Sequence, residues 1–264
     1  MRKFLILCLS ILSISALCYA DTLPNSITQL NINNRIGNVL LTFSSSNEYS
    51  ITSTVINTQN NKEQESATNL YPAMITVKNG IATVETTLPE GLNLSDVLTV
   101  SIPASSPLKI ITATSEIGNI NFSNIMKNSV QIVLFNANMG DISIQNNPQA
   151  ALKSLTILNG MGKIAVQNLP EKCSLKIEDD MGNVVLQNMP QNSEMSILEK
   201  MGDIVYIGDT TNIDATVKQG DIVLDNKKVS QSQYSISGSS ELPQKVIIND
   251  MGDVKITSKS KGSK

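Results

Sequence analysis

The sequence predicts an all-β protein, a single-stranded parallel β-solenoid (β-helix) with about 20 residues per coil and a right-handed course favoured. Three observations predict it. A glycine-centred frame recurs at Gly37, Gly118, Gly140, Gly162, Gly182, Gly202, Gly220 and Gly252. Apolar residues alternate on both sides of that glycine, as in Leu155/Ile157 before Gly162 and Ile164/Val166 after it. Turn-forming residues also keep fixed offsets from it. Period-two alternation over about five residues marks a half-buried strand. Two such strands and two corners in each unit make one coil, whose apolar side is buried only when coils stack in parallel.

The chain opens on a segment outside this frame. Arg2 and Lys3 precede an apolar run, Phe4 to Leu17, and Cys18-Tyr19-Ala20 places small residues at a cleavage site. Residues 1–20 read as a signal peptide. Residues 21–257 read as one solenoid domain, with 21–115 less regular and 116–257 forming regular coils. The last glycine spacing, from Gly220 to Gly252, leaves room for an excursion at 227–243. Residues 258–264 read as a disordered lysine- and serine-rich tail. No later run is long and apolar enough for a transmembrane segment.

The corner residues have physical roles. Glycine supplies a positive φ or a close backbone approach. Six residues after it stand Asn124, Asn146, Asn168, Asn188 and Asn226, which can stack as an amide ladder. Pro148, Pro170 and Pro190 then end the strand, since proline has no N–H to donate. Strand parity puts Met139, Met161, Met181, Met201 and Met251, each just before a glycine, on the core side. They are expected to fill corners there rather than to bind copper(I) as a thioether ladder. Cys173 alternates with Leu175 and Ile177 and is expected to be a buried, inert thiol.

Composition excludes several functions. Of 20 basic residues two lie in the leader, leaving 18 against 23 acidic ones, a balance unsuited to nucleic acid. Histidine and tryptophan are absent. Catalytic schemes that need an imidazole base are therefore unavailable. The recurring G-[ND]-[IV] element and the stretch VSIPASSPLKIITATSEIGNINF resemble bacterial exported domains grouped as putative adhesins, including the autotransporter-adhesin head of Gly-Ile-Asn type. The resemblance implies a β-helical exported protein concerned with surface attachment, and it brings no catalytic motif.

Two groups of residues stand out as candidate sites. Asp179, Asp180, Glu199 and Asp203 fall near one corner of adjacent coils and offer oxygen ligands for calcium, against a reading as solvated turn residues with Lys200 as counter-charge. Three residues after the glycines, Val185, Val205 and Val223, with Ile207 nearby, should face outward as one continuous apolar stripe. Tyr49, Tyr71 and Tyr234 are isolated candidates for stacking on sugars. The expected function is a non-catalytic, adhesin-like or envelope interaction module without cofactor. Its partner would be an envelope or surface protein or polysaccharide, or a second copy of the chain. The alternatives are a calcium-dependent polysaccharide-active enzyme and a structural periplasmic scaffold. The leader leaves periplasm, cell surface and medium open.

Overall fold

The computed structural model describes residues 23–58, 62–63, 71–89, 93–123, 129–230, 232–236 and 241–258. The expected signal peptide and nearly all of the expected tail lie outside these residues. The strands are β1 (Gln29–Ser44), β2 (Ser50–Asn57), β3 (Lys62–Glu63), β4 (Met74–Lys78), β5 (Ile81–Thr86), β6 (Leu94–Pro103), β7 (Ile110–Ile117), β8 (Ile120–Ser123), β9 (Ile132–Met139), β10 (Ile142–Gln145), β11 (Ser154–Gln167), β12 (Ser174–Met189), β13 (Met195–Glu199), β14 (Ile204–Gly208), β15 (Ile213–Gln219), β16 (Ile222–Leu224), β17 (Lys227–Ser230), β18 (Gln233–Ile236), β19 (Lys245–Met251) and β20 (Val254–Ser258). No helix occurs among the described residues, and so none is long and apolar enough to cross a membrane.

The protein is all-β, but the single-stranded solenoid is corrected. Parallel pairing runs β1–β7–β9–β11–β10–β8 and returns to β1, a closed six-strand parallel barrel with the other strands outside it. Closure is possible because β1 and β11 continue through their glycines and each pairs on both sides of the corner. Chain order and spatial order also part company at both ends. β1 lies between β5/β6 and β7/β8, and β19/β20 slides between β13/β14 and β15/β16. A glycine count along the chain cannot reveal either insertion.

The pairing is in register, so like residues meet. Ile157 stands opposite Phe135 on one side and Ile177 on the other, and Val166 opposite Ile144 and Leu186. These side chains are buried in one cluster that extends from Leu23 to Ile256. Burying each of the larger ones stabilises the fold by about 1.5–3 kcal/mol. Phe43, Phe122 and Phe135 join the cluster through ring contacts at 5.8 and 5.7 Å, the second edge-on. Cys173 is fully buried within the same cluster, and desolvation pushes its thiol up to about 12.

Antiparallel strands cover the outer edges. β4 pairs with β5 and β2 with β6 at one end, while β18 pairs with β15 and β17 with β16 at the other. They occupy backbone groups that would otherwise template aggregation. The described part of the 227–243 excursion is therefore an edge cover in plane with the sheet.

Lys245 begins β19 with no exposed surface. Its ammonium donates to the carbonyls of Thr211 (2.7 Å) and Gln191 (3.2 Å) and faces Asp209 at 3.8 Å. Desolvation lowers its pKa, and Asp209 opposes that shift. Lys245→Met should lower stability by about 2–3 kcal/mol in urea denaturation, because the carbonyls of Thr211 and Gln191 lose a charged donor. An unchanged midpoint would show that the ammonium holds nothing together.

Candidate functional site

The glycine corner organises a row of hydrogen bonds along the surface. One residue after the glycine, an Asx side chain accepts the N–H of its counterpart in the neighbouring unit. Asn119 Oδ1 takes Asp141 N–H at 2.7 Å, Asp141 takes Lys163 N–H at 2.7 Å, and Asn183 takes Asp203 N–H at 2.8 Å. Asp203 takes Asp253 N–H at 2.9 Å and Asp253 takes Asp221 N–H at 3.1 Å. This is why asparagine or aspartate follows the glycine so often: the position needs a short side-chain acceptor. Further along, Asn188 donates to Asn168 Oδ1 at 2.8 Å, and both adopt left-handed backbone with φ near 57–58°. Asparagine tolerates that region better than most residues. Asn124, the first residue of the proposed amide row, lies outside the described residues.

Three residues before the glycine runs a column of inward polar side chains, of which the sequence pattern singled out only Asp179 and Glu199. Asn34, Ser115, Asn159, Asp179, Glu199 and Asn249 are all buried. Several cap carbonyls at the bend: Asn159 Nδ2 donates to Gly162 O at 3.3 Å and Asn249 Nδ2 to Gly202 O at 2.8 Å. Polar identity at an inward parity was the signal available for it. Within the column Asp179 and Glu199 are direct register partners, with 1% and 0% exposure. Desolvation raises both carboxyls, and the neighbouring Asp179 pushes Glu199 up further, to about 8.

The candidate calcium ligands accordingly divide. Asp179 and Glu199 face the interior, which corrects the view of them as solvated turn residues. Asp180 lies outside with Lys200 at 2.6 Å, and Asp203 is committed to Asp253 N–H and to Lys255 at 3.1 Å. Among the described residues no group of three or more such side chains is arranged to hold a metal ion.

The outward row is placed as follows. Val185, Val205, Ile207 and Val223 are all half-buried. Ala165, Val185 and Val205 are neighbours in register, but Lys255 stands between Val205 and Val223. The continuous stripe is thus interrupted, because β20 inserts between β14 and β16. Tyr49 is buried on Ser106, while Tyr71 and Tyr234 are half-buried.

The methionines depart furthest from expectation. Met139, Met161, Met181, Met201 and Met251 are between 41% and 46% exposed, so they are not core. The bend at the glycine reverses the parity, and the interior of the corner is already filled by the polar column.

A concave surface lies beside the opposite stretch of the same corner. A groove of about 360 Å³ is lined by Asn33, Arg35, Glu85, Thr114, Glu116 and Asn138, among others. Register brings these residues together: Asn33 pairs with Glu85 and with Thr114. Asn33 Nδ2 donates to Glu85 Oε1 at 3.0 Å, and Thr114 Oγ1 donates to Asn33 Oδ1 at 3.0 Å. Arg35 Nε meets Glu116 Oε2 at 3.2 Å. The floor carries the buried Asn34, Thr86 and Ser115, with Thr86 Oγ1 donating to Asn34 Oδ1 at 2.9 Å. Arg35 and Glu116 lie 81 residues apart in the chain, and the pairing of β1 with β7 brings them together.

No family model matches the chain, and no curated protein matches it. Among solved structures, the chain is similar to one named as a putative lipid binding protein from Parabacteroides distasonis, at 12% identity and a TM-score of 0.41, covering 91% of this chain and 96% of that one. It is similar to a putative cell adhesion protein from Clostridium sporogenes at 13% identity and a TM-score of 0.34, covering 89% and 93%. A putative adhesin from Bacteroides fragilis is similar at 12% identity and a TM-score of 0.33, covering 89% and 94%.

Proposed function

We propose that the chain is a non-catalytic, exported binding module of adhesin-like character, and that its ligand is a polyhydroxylated chain, a polysaccharide of a cell envelope or surface. In this reading residues 1–20 are removed as a signal peptide and 21–257 act as one unit. The observation that carries it is the groove at Asn33. Its rim combines amides, hydroxyls, carboxylates and a guanidinium, groups that donate to and accept from sugar hydroxyls in pairs. Its volume lies in the range of small-ligand sites, enough for a short stretch of saccharide. Pre-formed hydrogen bonds between Asn33, Glu85 and Thr114 hold the rim in place before binding, which lowers the cost of ordering it. The calcium-dependent enzyme would need three or more such ligands gathered at one place, a grouping not found among the described residues, where Asp179 and Glu199 meet only as a buried pair.

A glycan array probed with the purified protein tests the reading. Selective binding of one polysaccharide class is expected, weakened about tenfold or more by Asn33→Ala with Thr114→Ala at an unchanged melting temperature. Retention of an envelope protein with no glycan bound would instead favour the structural scaffold.

A further inference from the structure

The exposed methionines are not scattered. Met139, Met161 and Met181 are direct partners across β9, β11 and β12. The row continues with Met201 and Met251, whose carbonyls receive the N–H groups of Gly182 and Gly202. Five exposed methionines therefore rise along one edge of the molecule, on backbones that strand pairing holds about 4.8 Å apart. Five exposed methionines in register on one edge need a reason beyond filling space, since none of them fills the core.

We propose that this row is a binding site for a soft monovalent cation, copper(I) or its analogue silver(I). Thioethers are soft, neutral donors that favour copper(I) over hard cations. A metal–sulfur bond of about 2.3 Å lets two sulfurs share one ion when they stand roughly 4.6 Å apart or closer, close to the rise between neighbouring strands. The unbranched side chain adjusts over the remaining distance through its three rotatable bonds. Two or three successive methionines complete a coordination sphere, and any adjacent set will serve.

The rest of the molecule narrows the choice of metal. The chain has no histidine, so the ligand most used for zinc and copper(II) is missing. Cys173 is buried and cannot compete. Acidic side chains beside the row, Asp141, Asp180, Asp203 and Asp253, are engaged by the Asx row and by Lys200 and Lys255, which leaves coordination to the thioethers. Thioethers need no deprotonation, so affinity should not vary between pH 5 and 8.

The test is a titration of the purified protein with copper(I), kept reduced and competed against a chromogenic copper(I) chelator, with silver(I) and zinc(II) in parallel. The parent should withdraw copper(I) and silver(I) from the competitor and ignore zinc(II), and X-ray absorption should show sulfur neighbours around the copper. The variant Met161→Leu/Met181→Leu/Met201→Leu should bind at least tenfold more weakly while melting at the same temperature without metal. No withdrawal of copper by the parent, equal binding by the triple variant, or a shell of oxygen alone would each overturn the proposal.

Discussion

Gly182→Val should lower stability by about 4 kcal/mol or more and the melting temperature by roughly 10 °C. The cause is contact with backbone and not dihedral strain. The positive φ that the repeat suggested at every corner is absent from Gly182, although Gly162 beside it has φ +138°. A Cβ at Gly182 would stand 1.7 Å from the carbonyl oxygen of Gly162, an approach no side-chain rotation relieves. Relief requires the two strands to move apart, which breaks the register on which both ladders depend. Gly80→Ala is the control. Gly80 has φ +75°, but its Cβ would meet nothing closer than Thr28 Oγ1 at 3.5 Å, so only the left-handed backbone penalty of about 1–2 kcal/mol applies. Equal losses in the two variants would remove the close-approach account.

The second large effect is on pH. Asp179 and Glu199 sit side by side without solvent, and two adjacent carboxylates cannot both ionise there at low cost. In the folded protein Glu199 holds a proton up to about pH 8, whereas in the unfolded chain it loses it near 4.5. Between those values the folded state binds more protons than the unfolded one, so stability falls as pH rises. The stabilisation is complete below about pH 4.5 and is lost through pH 8. Thermal melts should therefore show a lower melting temperature at pH 8 than at pH 5. Glu199→Gln keeps the acceptor that Met201 N–H uses at 3.0 Å and supplies a permanent donor toward Asp179. It should flatten the profile and raise the melting temperature at pH 8 above that of the parent. A parent that is more stable at pH 8 than at pH 5 would contradict the shared proton.

Much of the strand pattern was legible in the residues. Leu155/Ile157 and Ile164/Val166 are inward because period two on a half-buried strand leaves little choice. The corners were harder. Parity counted straight through a bend assigns Met161 to the core, yet the chain turns at Gly162 and throws that side chain outward. The same count makes Asp179 an inward residue, but its charge argued for water, and only the buried neighbour Glu199 shows how a proton resolves the conflict. Pairing between distant strands was least legible. Nothing in β1 or β7 alone says that Arg35 will meet Glu116, nor that β20 will enter between β14 and β16 and put Lys255 in the valine row. Each depends on which edge a strand joins, and identical repeat frames offer several edges of similar energy.

The central claim is that the groove at Asn33 holds a polysaccharide. The most direct measurement is a nuclear magnetic resonance titration of the labelled protein with the polysaccharide selected on the array, followed through side-chain amides and methionine methyls together. The account predicts saturable shifts in the amides of Asn33 and Asn138, with Met161, Met181 and Met201 methyls unmoved. Shifts confined to the methionine row, or saturable binding that leaves Asn33 and Asn138 unchanged, would contradict it.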